Sequence, residues 1–290
     1  MNATTLPGTI IAAFGKRYDV ELPDGQLISC VTRGKKGDLA CGDQVEIKLT
    51  ADHEGVVEEL HPRTSLLYRS NEYRKKYLAS NVTQVVIVLA AIPSFYEDLL
   101  NRCLVAAEAA GIKVLILLNK SDLPETPAAL EKLKLYQSLG YAVQPLSALQ
   151  NVEQLRPWLQ GHTSVLVGQS GMGKSTLVNA LLPEVNARTQ EVSAVLDSGK
   201  HTTTSARLYH LDAESHLIDS PGLQEFGLNH LSTDEMEMAF IEFRPFLGKC
   251  RFNNCRHTHE PDCAILNAVK SGAISDIRLQ SYQKLLAEID

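Results

Sequence analysis

Nine residues near the middle of the chain, Gly168-Gln169-Ser170-Gly171-Met172-Gly173-Lys174-Ser175-Thr176, contain a complete G-x4-G-K-S pattern. The pattern follows the apolar run SVLV and opens the helix-forming segment STLVNALL, so a strand hands over to a helix where the glycines sit. Glycines in such a loop let backbone N–H groups turn inward on phosphate oxygens, and the helix N-terminus adds positive potential. In this arrangement Lys174 reaches the β- and γ-phosphates and the Ser175 hydroxyl takes Mg²⁺.

Four other short stretches supply what a nucleotide site would need. Asp219-Ser-Pro-Gly222 ends the run HLIDS, where Asp219 can hold Mg²⁺ and the Gly222 N–H can sense a γ-phosphate. Between the two lies GKHTTT, residues 199–204, in which one of Thr202, Thr203 and Thr204 can complete the Mg²⁺ shell. Thr203 is the candidate. Asn119-Lys120-Ser121-Asp122 follows VLILL, and a carboxylate at Asp122 can accept from the N1–H and N2–H₂ edge of guanine, which adenine lacks. There the Lys120 stem would lie along the base and Asn119 would tie the base loop to the phosphate loop. Ser147-Ala148 closes YAVQPLS, with a backbone N–H for the guanine O6. Every element falls at the end of an apolar run, where parallel sheets present ligands. Their chain order, base loop first and phosphate loop third, is that of a circular permutation. A sheet tolerates it because its old termini lie at the surface.

A third group of residues points to a metal. Cys250-x4-Cys255-x-His257-x5-Cys263 sets three thiols and an imidazole within 14 residues, enough for one closed, structural Zn²⁺ site. His259 competes with His257 as the nitrogen ligand, and His257 is preferred. Cys30, Cys41 and Cys103 stand alone and read as apolar fillers.

The elements that must position these groups fall into three blocks: 1–68, 69–228 and 229–290. The first is all-β. In DQVEIKL, Val45, Ile47 and Leu49 fall on one face and Gln44, Glu46 and Lys48 on the other, and Pro23-Asp24-Gly25 reads as a hairpin turn. Short strands in about 65 residues suit a small barrel of the OB type. From residue 80, strand runs alternate with helix-length segments ending at Gly111 and Gly140, which implies a parallel sheet covered on both faces. After 228 the strand signal stops. The expected fold is therefore multidomain: an OB-fold barrel, a permuted α/β P-loop domain and a helical zinc-binding domain.

With 290 residues, 44% hydrophobic and 21% charged, the composition is that of a water-soluble protein. Its longest apolar run, VVIVLAAI, is too short to span a bilayer, and MNATTLPGTIIAAF lacks a basic n-region, so a cytoplasmic location and no membrane partner are expected. A net charge of -6 does not mark a nucleic-acid binder, yet basic residues cluster locally. Arg33, Lys35 and Lys36 share one loop; Arg63, Arg69, Arg74, Lys75 and Lys76 sit between His61 and Leu78 against a single Glu72; Lys249, Arg251 and Arg256 surround the late cysteines. Such patches can face phosphate backbone on an acidic protein, since fields decay within about 8–10 Å.

NKSD, GQSGMGKST, the GKHTTT loop, DSPG followed by LQEFG, and CRFNNCRHTHEPDC together resemble the ribosome small-subunit-dependent GTPase A family over the whole chain. The resemblance implies a monomeric GTP hydrolase, with GTP, Mg²⁺ and one structural Zn²⁺ per chain. It also implies action on the small ribosomal subunit and its rRNA late in maturation, with hydrolysis stimulated by the subunit. Leu223 stands where many GTPases carry the glutamine that orients water. The resemblance offers His201 for that task; Gln224 or a ribosomal group are the alternatives. In this chain order the barrel lies at the other end of the permuted sheet from the C-terminal segment. Two rival readings are an ATP-using P-loop kinase, which would not discriminate through Asp122, and a non-hydrolysing zinc and barrel module.

Overall fold

A computed structural model describes residues 5–33, 39–71, 74–183, 206–219 and 227–289, with no side chains described at 68–76. The first five strands, β1 (Leu6–Phe14), β2 (Arg17–Glu21), β3 (Leu27–Thr32), β4 (Gln44–Ala51) and β5 (Glu54–Leu60), run β1-β2-β3-β5-β4. Pairing of β1 with β4 closes the barrel, and β3 with β5 is its single parallel pair. This is the OB connectivity, which leaves no free sheet edge. Its core is its own: Ile10, Tyr18, Val20, Ile28, Cys30, Val45 and Ile47. The turn at Asp24 and Gly25 forms as expected, with Gly25 at φ +85 and Gln26 N donating to Asp24 Oδ1.

Leu49 is 44% exposed, whereas Val45 and Ile47 are fully buried. Across the β4–β5 ladder Leu49 faces Gly55, which brings no side chain to cover it.

The basic stretch after the barrel forms a two-stranded hairpin, β6 (Leu66–Asn71) with β7 (Arg74–Ser80). Six strands follow in sequence, β8 (Gln84–Ala90), β9 (Lys113–Asn119), β10 (Ala142–Pro145), β11 (Thr163–Val167), β12 (Arg207–His210) and β13 (His216–Asp219), and β1 of the barrel joins their sheet. Their spatial order is β10-β9-β8-β11-β13-β12-β1. All seven residues of β8 are buried, which is why VVIVLA reads as one apolar run. Strand β12 runs antiparallel to β13, and β1 of the barrel pairs with β12 at Ala12 and Arg207. The barrel thus adjoins the strand next to Asp219, a placement that chain order does not reveal.

Helix α1 (Glu97–Ala109) follows β8, α2 (Thr126–Ser138) follows the base loop, the short α3 (Arg156–Leu159) precedes β11, and α4 (Lys174–Leu181) follows the phosphate loop. Gly111 and Gly140 both take positive φ just past the ends of α1 and α2. The C-terminal helices α5 (Thr233–Ala239), α6 (Ala264–Lys270) and α7 (Asp276–Ile289) share one core with the sheet. Helix α5 starts with a capping box, Ser232 with Glu235. Helix α7 lies against α1 through Arg102–Glu288, Lys284–Asp98 and Asn101–Ser281. Among the described residues, no helix is long and apolar enough to cross a membrane.

Candidate functional site

The phosphate loop lies between the end of β11 and α4, directly above the start of the loop after β8. Gly168 has φ +141, and a Cβ there would sit 2.2 Å from Val88 O. At Gly173, φ is +91 and a Cβ would meet Asn119 Nδ2 at 2.3 Å. Neither position admits a side chain, so the two glycines allow the loop to close on its neighbours. Met172 is buried, while Ser170, Gly171 and Ser175 face solvent; Gln169 and Thr176 are half-buried.

Asn119, buried at the end of β9, joins three loops. Its Nδ2 donates to Met172 O at 2.9 Å, and its Oδ1 accepts from Ala148 N at 3.0 Å. Lys120 takes the left-handed backbone at φ 58, uncommon for a side chain of this size. From there its Nζ donates to Ile92 O at 2.8 Å and to Gly171 O at 2.7 Å. Ser121 N donates to Leu146 O at 3.1 Å, and Ser147 N to Asn151 Oδ1 at 2.9 Å. Asp122 is exposed, with no hydrogen bond or ion pair among the described residues, so its carboxylate is free to accept from a ligand.

Lys174 Nζ donates to Gly168 O at 2.6 Å and Gln169 O at 2.8 Å, folded back over the loop that phosphates would fill. Burial pushes its ammonium below the usual lysine range, and Asp219 opposes that shift. Burial likewise raises Asp219 above the usual carboxylate range, with Lys174 pulling it back. Two groups of opposite charge, each partly desolvated and each stabilising the other, thus face one another at this end of the sheet, an arrangement common at functional sites. His201, Thr203 and Gly222, together with Thr202, Thr204, Leu223 and Gln224, lie outside the described residues.

Two contacts here were not foreseen from sequence. Gln169 Oε1 accepts from Tyr96 N at 2.9 Å, which ties the phosphate loop to the residue before α1. The Lys120 bond to Ile92 O ties the base loop to that same segment. The only sequence signal was the Pro93 that ends the apolar run of β8, and it marks a turn without naming its partners.

The second site gathers the late cysteines. Cys250 Sγ lies 3.8 Å from Cys263 Sγ and 3.6 Å from His257 Nδ1. The same Nδ1 is 3.4 Å from Cys255 Sγ and 3.2 Å from Cys263 Sγ. All four ligand atoms lie within 4.8 Å of one another. A tetrahedral zinc, with bonds of about 2.0–2.3 Å, spaces its ligand atoms about 3.5–3.8 Å apart, so the cluster fits that ion. Backbone N–H groups of Ala264 and Leu266 donate to Cys250 Sγ and Cys263 Sγ and hold both sulfurs in place. His259 is exposed and bonds to Thr258 instead. His257 Nε2 is 3.3 Å from Glu237 Oε1 but out of line for a hydrogen bond. A Zn²⁺ held by this set would be closed to substrate and would supply folding energy alone.

Segment 250–263 has little regular structure, and the four candidate ligands lie within it. Zinc sites of this kind contribute about 10–16 kcal/mol of apparent binding energy to folding. A strong chelator is therefore expected to lower the melting temperature by many degrees and expose 246–263 to protease first. In Cys263→Ser the chelator should produce no further drop. Identical melting of the parent with and without chelator would sink the assignment.

The strand order, the closed barrel and the loops at the strand ends define a circularly permuted P-loop GTPase with an OB barrel before it. Residues 60–229 match the model of the RsgA GTPase family. This chain belongs to that family and is a GTPase. It is 52% identical over 286 residues to the small ribosomal subunit biogenesis GTPase RsgA of Nitrosospira multiformis, covering 98% of this chain and 91% of that one. A second relative of the same name, from Neisseria gonorrhoeae, is 54% identical over 280 residues, 97% and 91% of the two chains. Among solved structures, YjeQ from Thermotoga maritima matches with TM-score 0.76, 28% identity and 99% of both chains covered. YloQ, described as a circularly permuted GTPase, matches with TM-score 0.71 and 28% identity over 99% and 95%.

Proposed function

We propose that this GTPase acts in late maturation of the small ribosomal subunit, in the cytoplasm and as a monomer, with hydrolysis stimulated by that subunit. The observation that carries the reading is the near full-length likeness to relatives named for small-subunit biogenesis. Three domains divide the work: the barrel (1–68) and the zinc-binding helices (229–290) dock on rRNA, and 69–228 turns over GTP.

In the site, Asp122 accepts from the guanine edge, Lys120 flanks the base and the Ala148 N–H meets O6. The backbone from Gly168 to Gly173 cradles the phosphates, with Thr176 at the start of α4. Lys174 swings from the Gly168 and Gln169 carbonyls to the β- and γ-phosphates. Ser175, Thr203 and Asp219 hold Mg²⁺, and Gly222 senses the γ-phosphate. The metal supplies charge neutralisation on the phosphate oxygens when it is bound. With Leu223 in place of glutamine, water orientation falls to His201, or to Gln224 or a ribosomal group, and turnover by the free protein is slow.

GTP, by ordering the segment after Asp219, fixes how the barrel and the zinc module are placed. Contact of β1 with β12 on one side, and of α5 and α7 with α1 on the other, supports such coupling. Equal affinity of the GTP and GDP forms for small subunits would defeat it.

The test of the main reading is GTP turnover by the pure protein, alone, with small subunits and with large subunits. Small subunits alone are expected to accelerate turnover by at least tenfold. No acceleration, with GTP still bound through Asp122, would overturn the choice of activator.

A further inference from the structure

At the joint between the barrel and the nucleotide-binding sheet, three side chains form a line that neither site above uses. His210 at the end of β12 and His216 at the start of β13 are direct cross-strand partners. Their Nδ1 atoms are 2.9 Å apart, and their rings meet edge to face with centroids 4.8 Å apart. On its far side, His210 Nε2 lies 2.5 Å from Oε2 of Glu21, the last residue of β2 in the barrel. His210 is about half exposed, with side-chain exposure of 47%, so the pair is open to small solutes.

The proton positions in this line follow from chemistry. A carboxylate only accepts, so His210 Nε2 carries a proton for Glu21 and its Nδ1 is left with a lone pair. His216 Nδ1–H donates to that lone pair. Two neighbouring imidazoles, one oriented through its other nitrogen by a carboxylate, form the donor arrangement seen around protein-bound transition metals. Two nitrogens at adjacent corners of a square-planar or octahedral ion, with bonds of about 2.0–2.1 Å, stand about 2.9 Å apart. A tetrahedral ion would need about 3.4 Å.

We propose that His210 and His216 form a cross-strand chelate for a divalent transition metal ion of the Ni²⁺ or Cu²⁺ type, with Glu21 as the carboxylate that orients His210. The two Nδ1 lone pairs bind the ion, and solvent completes its shell. No proton is lost overall: that of His216 passes through solvent from Nδ1 to Nε2, and His210 keeps its Nε2–H for Glu21. A bound cation strengthens the acidity of that N–H and with it the bond to Glu21. Metal at this site therefore fastens the barrel to β12 and β13, the strand pair that leads into Asp219. It is distinct from the Cys₃His cluster in chemistry, nitrogen and oxygen against thiolate, and in place.

The experiment is titration of zinc-loaded protein with Ni²⁺, followed by calorimetry, on the parent, His216→Ala, His210→Ala and Glu21→Gln. One equivalent of Ni²⁺ is expected to bind the parent, and either histidine substitution should weaken it at least tenfold. Glu21→Gln should weaken it by several-fold while leaving one equivalent bound, since the ligands remain. Melting of each variant without Ni²⁺ reports whether the fold survives; loss of Ni²⁺ binding counts only in variants that melt as the parent does. Asn replaces Ala at either histidine should folding fail. Equal Ni²⁺ affinity in the parent and a folded His216 variant would overturn the proposal, because it would place the ion on other histidines of the nine in the chain.

Discussion

Replacing Asn119 by Ala should lower affinity for guanine nucleotides by two orders of magnitude or more while the protein stays folded. The side chain is buried and makes two hydrogen bonds, to Met172 O in the phosphate loop and from Ala148 N in the loop after β10. Truncation leaves a carbonyl and an N–H without partners at a buried junction, at a cost of about 1–3 kcal/mol each. Those groups belong to the loops proposed to hold the phosphates and the base, and each 1.4 kcal/mol that reaches binding is about tenfold in affinity. Gly173 is packed against the same amide, so no neighbouring side chain can fill the gap. Asp122→Asn provides the contrast. It leaves the loop junction intact and replaces an acceptor by a group that can also donate, so it should trade GTP for xanthosine triphosphate. Fluorescent GTP and GDP analogues measure both effects. If Asn119→Ala binds them as the parent does, the junction does not organise the site.

The glycine loop, Asn-Lys-Ser-Asp and Ser-Ala, which the structure brings together, were legible because each is a local pattern at the end of an apolar strand; GKHTTT and the residues after Asp219 lie outside the described residues. Their permuted order could be read as well, since it needs only the positions of those patterns along the chain. The zinc ligands were legible for the same reason, lying within 14 residues. What stayed hidden depends on contacts between distant segments. Leu49 alternates correctly with Val45 and Ile47, but its partner on β5 is Gly55, which leaves it uncovered. The hairpin of β6 and β7 carries so many basic residues that its strand character is masked by charge. The pairing of β1 with β12 joins segments almost 200 residues apart, and no periodicity reports it. Gln169 and Lys120 were read for phosphate and base, yet they also hold the loop after β8, through Tyr96 N and Ile92 O.

Arg278 is the extreme case of a residue whose environment cannot be read locally, and Arg278→Met should be the most damaging single change to stability. In ISDIRLQSYQKLL it looks like one more polar position on a surface helix, yet it is fully buried. Its Nε donates to Glu242 Oε1 at 2.5 Å and its Nη1 to Asn101 Oδ1 at 2.6 Å. The guanidinium carbon stands 4.4 Å over the Phe240 ring, and Glu242 is itself only 5% exposed. Breaking a buried pair by removing one partner costs about 3–5 kcal/mol, because the other charge is left uncompensated in a poor solvent for it. For a chain of this size that is a fall of roughly 10 °C in melting temperature. Replacing both partners, Arg278→Met with Glu242→Met, removes the orphaned charge and should recover most of the loss, since burying two charges costs nearly what their attraction returns. Residual loss in the double variant measures the Asn101 bond and the ring contact, neither of which methionine restores. Arg278 joins α7 to α1 through Asn101, so the single variant should also loosen the zinc module from the nucleotide-binding sheet, seen as faster amide exchange in α7 than in β8. A single variant as stable as the parent, or a double variant no better than the single, would show that the pair is not what holds this junction.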